Sequence, residues 1–389
     1  MSGSIKDKVA IVGMGCTRFG ELWDKGPGDL IVDAVSEAYA DAGVEAKDIE
    51  AVWVGNLFSG MGGRSVSEPL KLQYIPVTRV ENACASGHEA IRGASYAVAA
   101  GVYDVCMAVG FEKLKDAGIS GLPGMENHTN THYQSSPPGM FAIMATTYFN
   151  RYGLSPEEGK TMLAKISIKS HHNGSLNPKA HYRRELTLEQ VLTAPIIAWP
   201  LGLFDCCGVS DGAAAAIVTR ADMAKKFRPD PVYIKALQIS ASPTSGRMTS
   251  EYDYTHVEEA YRAGVAAYKE AGVKEPRKAI SKAEVHDCFS ITEAVAMEDL
   301  QFSPRGRVKE DIEAGTFHLD GELPVQPDGG LKCFGHPIGA SGIRMTYELY
   351  LQLQGRADKR QIKDPKLGLA HNMGNEPYAP VVSVCVFGL

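Results

Sequence analysis

The sequence predicts an α/β fold built from two similar halves, with a large insertion in the first. Two observations predict it. Short apolar runs that end near glycine alternate with segments of helical periodicity, which is the pattern of strands feeding helices. That rhythm stops between Phe111 and Asp205 and resumes after Asp211.

Lys8 to Gly13 is a short apolar run closed by glycine and predicts a buried strand. Asp29 to Ala42 repeats Leu30, Ile31, Ala34, Val35 and Ala38 at helical spacing, and Gly43 supplies a C-cap. Ala51 to Val54 predicts a strand before Gly55. Ala83 to Ala100 predicts a small-residue helix closed by Gly101, and Val105 to Val109 a strand. The insertion carries polar stretches, the string Ser135-Ser136-Pro137-Pro138 and several helical pieces, and is expected to cover a site. Asp211 to Val218 returns to a buried strand. Val232 to Ile239 and Ala283 to Val285 predict strands, and Val257 to Ala271 and Ile291 to Leu300 predict helices. A helix over Gly339 to Gln354 and strands over Leu367 to Ala370 and Val381 to Val386 complete the chain. The expected division is residues 1–110 with 206–225 for the first half, 111–205 for the insertion and 226–389 for the second half. No short tandem repeat or low-complexity segment interrupts it.

The bulk numbers exclude several classes. The 389 residues leave room for two core-bearing units, and 44% hydrophobic with 22% charged residues is an ordinary globular profile. A formal net charge of −6 argues against a general nucleic-acid binder. No apolar run approaches the roughly 20 residues of a membrane span. Met1 to Lys8 lacks the charged-then-apolar plan of a secretory signal. Eight cysteines are too sparse for a disulfide scaffold and predict a reducing, cytoplasmic setting. No CxxC pair occurs, and Cys206 and Cys207 are adjacent, so no structural zinc or other metal is expected.

Four strings carry candidate chemistry. In Val80 to Gly87, Cys84 sits just before, or in the first turn of, a predicted helix, where backbone N–H groups and the helix dipole favour a thiolate. The other reading is a buried structural cysteine. In Gly335 to Gly342, a glycine-rich turn holds His336, which can take a proton from a thiol. The other reading is a helix-capping turn with an incidental histidine. In Glu284 to Ser290, His286 and Cys288 follow a strand, where open α/β sheets place their sites. A packed loop with Cys288 and Phe289 in the core is equally compatible. In His371 to Gly374, the glycine can offer an unhindered N–H to an oxyanion, although a plain turn fits as well. Together the strings put two cysteines and two histidines at strand ends in both halves. A cysteine nucleophile with a histidine base suggests acyl-thiol chemistry, and a second cysteine is what a Claisen-type step adds.

These strings resemble the thiolase superfamily and occur in its order. Asn82-Ala83-Cys84-Ala85-Ser86-Gly87 is similar to the family's nucleophile motif, and Gly335 to Gly342 to its histidine motif. Many thiolases carry an Asn-Glu-Ala-Phe string; His286-Asp287-Cys288-Phe289 instead looks like the sterol-carrier-protein-2 (SCP2) type. Cys206 to Ala216 resembles that branch too, and the likeness spans essentially the whole chain. The resemblance implies a five-layer α-β-α-β-α sandwich with residues 111–205 over the active site, assembled as a homodimer or larger. It implies that Cys84 takes the acyl group and that His336 activates it. It gives Cys288 the acid/base role, and gives His286 the task of positioning a thioester oxygen. The N–H groups of Cys84 and Gly374 would form the oxyanion hole, where losing one donor costs roughly 3 kcal/mol. CoA would be a co-substrate, with no bound cofactor.

The chain departs from the pattern near its end. Most thiolases have a second catalytic cysteine in a Cys-x-Gly string, and here Asn372-Met373-Gly374 stands in its place. Relatives tend to continue with glycines, whereas this chain continues Asn375-Glu376-Pro377. Asn372, Asn375 and Glu376 are expected on the active-site wall. The last two would enlarge and polarise it for a bulky or polar acyl chain such as that of benzoylsuccinyl-CoA. A turn merely stiffened by Pro377 is the other reading. The resemblance also implies a possible small OB-fold zinc-ribbon partner as a second polypeptide. Two rivals stay open: a decarboxylating condensing enzyme using Cys84, His286 and His336, and a non-catalytic scaffold. Cys288 argues against the first, and the four intact residues argue against the second.

Overall fold

The computed structural model describes residues 3–119, 121, 136–243 and 252–389. Part of the insertion, including Ser135, therefore lies outside the described residues.

The first half contributes β1 (Val9–Cys16), α1 (Pro27–Ala42), β2 (Ala51–Gly55), β3 (Val77–Val80), α2 (Ser86–Ala99), β4 (Val105–Glu112) and, after the insertion, β7 (Gly212–Arg220). Between β4 and β7 lie α3 (Pro137–Arg151), α4 (Pro156–Ser175) and the small pair β5 (Ile196–Ala198) and β6 (Leu201–Gly202), and β4 itself takes in Phe111 and Glu112, the first residues of the expected insertion. The second half contributes β8 (Val232–Ala241), α5 (Glu258–Ala271), β9 (Lys282–Glu284), α6 (Ser290–Asp299), α7 (Gly330–Phe334), α8 (Ile338–Leu353), β10 (Leu367–Gly374) and β11 (Val381–Gly388).

Nine strands hydrogen-bond in the order β3-β2-β4-β7-β1-β8-β11-β10-β9. The two halves meet where β1 pairs with β8, at Ala10↔Tyr233 and Ile11↔Val232. Read outward from that junction, both halves have the same plan. β7 and β11 are antiparallel to the junction strands, β4 and β10 are antiparallel to those, and β2 and β9 then run parallel. Val325 bridges β9 where β3 pairs with β2 in the first half. The duplication expected from the sequence is thus present strand by strand.

Helices α2 and α8 pack on each other and against strands of both halves, while α1 covers the first half and α5 the second. This gives five layers, helix–sheet–helix–sheet–helix. Burial follows the layering. All eight residues of β1 and of β4 are buried, as strands covered on both faces must be. Helix α1 buries one stripe, Leu30, Ile31, Ala34, Val35 and Ala38, whereas α8 is buried on nearly every side. The sequence missed β3, whose Val-Thr-Arg-Val string is half exposed, and the short α7. It also began α2 too early: the helix starts at Ser86.

Glycines let the central helices approach each other. A Cβ on Gly87 would lie 2.8 Å from the Gly339 carbonyl oxygen, and one on Gly342 would lie 2.8 Å from the His88 nitrogen. Real Cβ atoms do not come that close. Gly55 and Gly110 extend the seam into β2 and β4, against Ser86 and Gly339. A side chain on Gly110 would collide with the Gly339 carbonyl. Gly110→Ala is therefore expected to cost about 1–3 kcal/mol, the usual range for overpacking, and to lower the urea midpoint of unfolding.

Candidate active site

The duplicated plan puts two turns at equivalent places, one before each central helix. Cys84 occupies the first and His336 the second. The Cys84 turn is locked by Ser86, whose hydroxyl accepts from Asn82 N–H (2.9 Å) and donates to the Ala83 carbonyl (2.6 Å). Ala83 takes a positive φ of 46°, which tilts Cys84 out of the helix that follows. A Cβ on Gly374 would lie 3.0 Å from the Cys84 nitrogen, so the end of β10 abuts this turn.

His336 donates its backbone N–H to the Gly208 carbonyl (2.9 Å). Its Nδ1 lies 2.8 Å from Ser341 Oγ, which lies 3.1 Å from the Pro337 carbonyl. That carbonyl can only accept, so the serine proton goes there and the serine oxygen accepts from His336 Nδ1–H. His336 Nε2 then keeps a lone pair, and this buried nitrogen has no partner among the described residues. The His286 ring meets the His336 ring edge-on, with centroids 5.3 Å apart. Cys84 Sγ and one ring nitrogen from each histidine all lie within 4.8 Å of one another. A set that compact can hold a metal ion or carry out acyl-thiol chemistry.

Cys288 joins the same cavity, with its Sγ 3.7 Å from Thr292 Oγ1. The free space in this cavity, open solvent at its mouth included, is about 600 Å³, and its interior is narrow. Cys84, Cys288 and His286 line it, together with Leu57, Phe58, Met140 and Phe141. Phe141 of α3 stacks on Phe289 at 4.6 Å between ring centroids, which pins the insertion to the His286–Cys288 loop. Asn375 and Glu376 also line the cavity. Asn372 departs from expectation. It lies in β10, fully buried, and its Nδ2 packs 3.5 Å from Met345 Sδ of α8. The strand's alternation turns it toward the central helix rather than onto the wall.

The electrostatics reverse one expectation. Burial pushes the Cys84 thiol up to about 12, with Cys207 adding to the shift. Burial, then Cys84, holds the Cys288 thiol well above its ordinary value. Burial, then the Arg344 charge, lowers His336 to about 3, and burial, then His336, lowers His286 well below the usual range. At neutral pH the centre therefore holds two protonated thiols and two neutral imidazoles. Any thiolate must form as the reaction proceeds, by transfer of the proton to a nearby nitrogen.

Sequence reasoning missed Ser341, although it stands in the histidine string, and His371, whose Nδ1 accepts the His286 N–H at 3.3 Å. It also missed the Met140–Phe141 wall, because no local pattern ties α3 to a strand end in the other half.

Cys84, His286 and Cys288 thus line one cavity, and His336 stands within 4.8 Å of Cys84 and His286. Comparisons with known proteins show the family. The thiolase N-terminal domain model matches residues 9–222, and the thiolase C-terminal domain-like model matches residues 240–385. An acetyl-CoA acetyltransferase of Methanothermobacter thermautotrophicus is 39% identical, covering 94% of this chain and 96% of that protein. Sterol carrier protein 2 of Gallus gallus is 31% identical, covering 94% and 70%. Among solved structures, an Ltp2-ChsH2(DUF35) aldolase superposes with a TM-score of 0.84 at 24% identity, covering 99% of this chain and 98% of that one. The Acat5 thiolase from Ascaris suum in complex with coenzyme A superposes with a TM-score of 0.69 at 17% identity, covering 98% and 100%. The chain belongs to the thiolase family, on its SCP2-type branch, and is an acyltransferase. Among the described residues, no helix is long and apolar enough to cross a membrane.

Two outcomes follow from this geometry. Ser341→Ala removes the acceptor that orients His336, and is expected to lower kcat about 10-fold or more in steady-state assays. His88 and His371 are also lowered to about 3, both chiefly by burial. Below pH 6.5 the unfolded chain binds protons that these buried rings and His336 refuse. Stability is therefore expected to fall as pH drops from 6.5 toward 3, by up to about 1.4 kcal/mol per pH unit for each ring, and a series of melting temperatures checks this.

Proposed function

We propose that the chain cleaves or forms 3-oxoacyl-CoA by reversible Claisen chemistry through an acyl-Cys84 intermediate. The observation that carries this reading is the compact set of Cys84, His286 and His336, with Cys288 lining the same cavity. In the cleaving direction the Cys84 proton passes to His336 Nε2, and the sulfur attacks the 3-keto carbon. The resulting oxyanion sits between the N–H groups of Cys84 and Gly374. As it collapses, the C2–C3 bond breaks and its electrons form an enolate, which His286 orients by a hydrogen bond to the thioester oxygen. Cys288 protonates the enolate carbon, and the His336 proton restores the Cys288 thiol. CoA then gives its proton to His336 and attacks the acyl group, and Cys84 leaves and recovers that proton. Both thiols return to their starting state.

The Leu57, Phe58, Met140 and Phe141 wall suits a bulky, aryl-bearing acyl group. With the amide of Asn375 beside it as a hydrogen-bond donor, benzoylsuccinyl-CoA is the substrate we favour. That residues 111–205 supply Met140 and Phe141 supports reading the insertion as the cover of the site. A second pocket, open to solvent, is lined by Lys115, Tyr182, Cys207, Gly208 and Lys332. It reaches His336 through the Gly208 carbonyl, which supports entry of CoA from that side. As co-substrate, CoA needs no resident cofactor. Among the described residues β3 pairs only with β2 and ends the sheet, which supports a homodimer. The likeness to the Ltp2-ChsH2(DUF35) aldolase supports a small partner of the DUF35 kind as a second polypeptide. Eight free cysteines support a reducing cytoplasm. Cys288 weighs against a decarboxylating condensing enzyme, which makes its carbanion without an acid/base thiol. The assembled centre weighs against a scaffold.

Intact mass after mixing with a panel of 3-oxoacyl-CoAs tests the reading. Wild type is expected to gain an acyl mass that Cys84→Ser lacks. Cys288→Ser should exchange a pre-formed acyl group with CoA but fail to cleave the 3-oxoacyl-CoA. No adduct from any substrate, with the small partner present, rejects the reading.

A further inference from the structure

We propose that Asp287 is a positioning residue that holds the His286–Cys288 loop in register with His336. This rests on the roles proposed above for those three residues. Asp287 is fully buried between His286 and Cys288 in sequence. Its Oδ1 accepts the Leu331 N–H at 2.7 Å, and its Oδ2 faces the Lys332 N–H at 3.4 Å. These N–H groups belong to α7, which ends at Phe334, two residues before His336. The carboxylate fits there because residue 330 is glycine. A Cβ on Gly330 would collide with Asp287 Oδ2, and its φ of +66° disfavours other residues as well.

The same two loops are joined a second time. Cys207 donates its N–H to the Cys288 carbonyl (2.8 Å), and the neighbouring Gly208 carbonyl accepts the His336 N–H (2.9 Å). Asp287, α7, His336, Gly208, Cys207 and Cys288 therefore form a closed ring. The acid/base thiol sits on one side of it and the histidine on the other. The two sides differ in what remains without Asp287. His336 keeps its bonds to Gly208 and Ser341. Between His286 and Cys288 the other loop keeps the Cys207 bond and the long 3.3 Å contact from His286 to His371, while the Phe141–Phe289 stack and the Ser290–Asp205 hydrogen bond lie beyond Cys288. Loosening Asp287 should therefore displace Cys288 and His286 more than His336.

That asymmetry separates positioning from general support. Exchange of acyl groups between acyl-CoA and CoA needs Cys84 and His336. Exchange of the α-hydrogens of the acyl-CoA with D₂O needs Cys288 as well. Asp287→Asn keeps the size but puts an NH₂ where an acceptor stood. It is expected to lose at least about 10-fold in α-hydrogen exchange while acyl exchange stays within about 3-fold and KM for CoA is unchanged. Circular dichroism and melting establish that the variant is folded. If Asp287→Asn does not fold, Asp287→Glu keeps the charge and displaces the oxygens by one methylene, with the same selective loss expected. Equal losses in both exchanges, or no loss in either, overturn the proposal. Wild type inactive in both, across the acyl-CoA panel, overturns the functional reading and this inference with it.

Discussion

The close approach of two central helices is the constraint on which the rest depends. Each half ends a turn at the start of its central helix, and those turns carry Cys84 and His336. Cys84 lies in the first half, and the two histidines within 4.8 Å of it, His286 and His336, lie in the second. The turns meet because Gly87, Gly339 and Gly342 let the backbones of α2 and α8 come nearer than any side chain would allow. Gly55 and Gly110 pass the same closeness to the sheet. Glycine in a helix costs up to about 1 kcal/mol relative to alanine. Here that cost is offset by the contact it permits, and the site inherits its dimensions from that contact.

Burial sets the second condition. Cys84, Cys288, His286 and His336 are all shifted mainly by desolvation, and each toward its uncharged form. A resting thiolate would react with stray electrophiles, whereas a protonated thiol beside a neutral imidazole stays quiet until a carbonyl carbon arrives. The charged groups stand further back. Arg344 pairs with Glu284 and Asp328 beneath the centre, fully buried, and reaches His336 only as a field that holds the ring neutral.

Much of this was legible in the chain, and the reasons are local. β1 and α1 announce themselves by apolar runs and helical spacing, because each is buried in a way its own residues dictate. The cysteine and histidine strings are legible because their small residues reflect backbone crowding at the site. What stayed hidden depends on distant partners. β3 is an edge strand with too little burial to leave a pattern. Asn372 seemed to belong on the cavity wall because it precedes Gly374, yet the register of β10 with β11 turns it toward Met345. The thiol's protonation was misjudged for a similar reason: a helix terminus is visible in sequence, but the layers that desolvate it are not. Phe141 reaches the site only through packing with Phe289.

The duplicated architecture also bears on how the chain is made. Synthesis delivers the first half, with α2 and Cys84, long before α8 and His336 emerge. During that interval the glycine face of α2 has no helix to receive it, and the thiol has no imidazole. Docking of the second half covers the face and completes the centre in one event. A nascent chain therefore has neither His286 nor His336 beside Cys84 until the second half has been built.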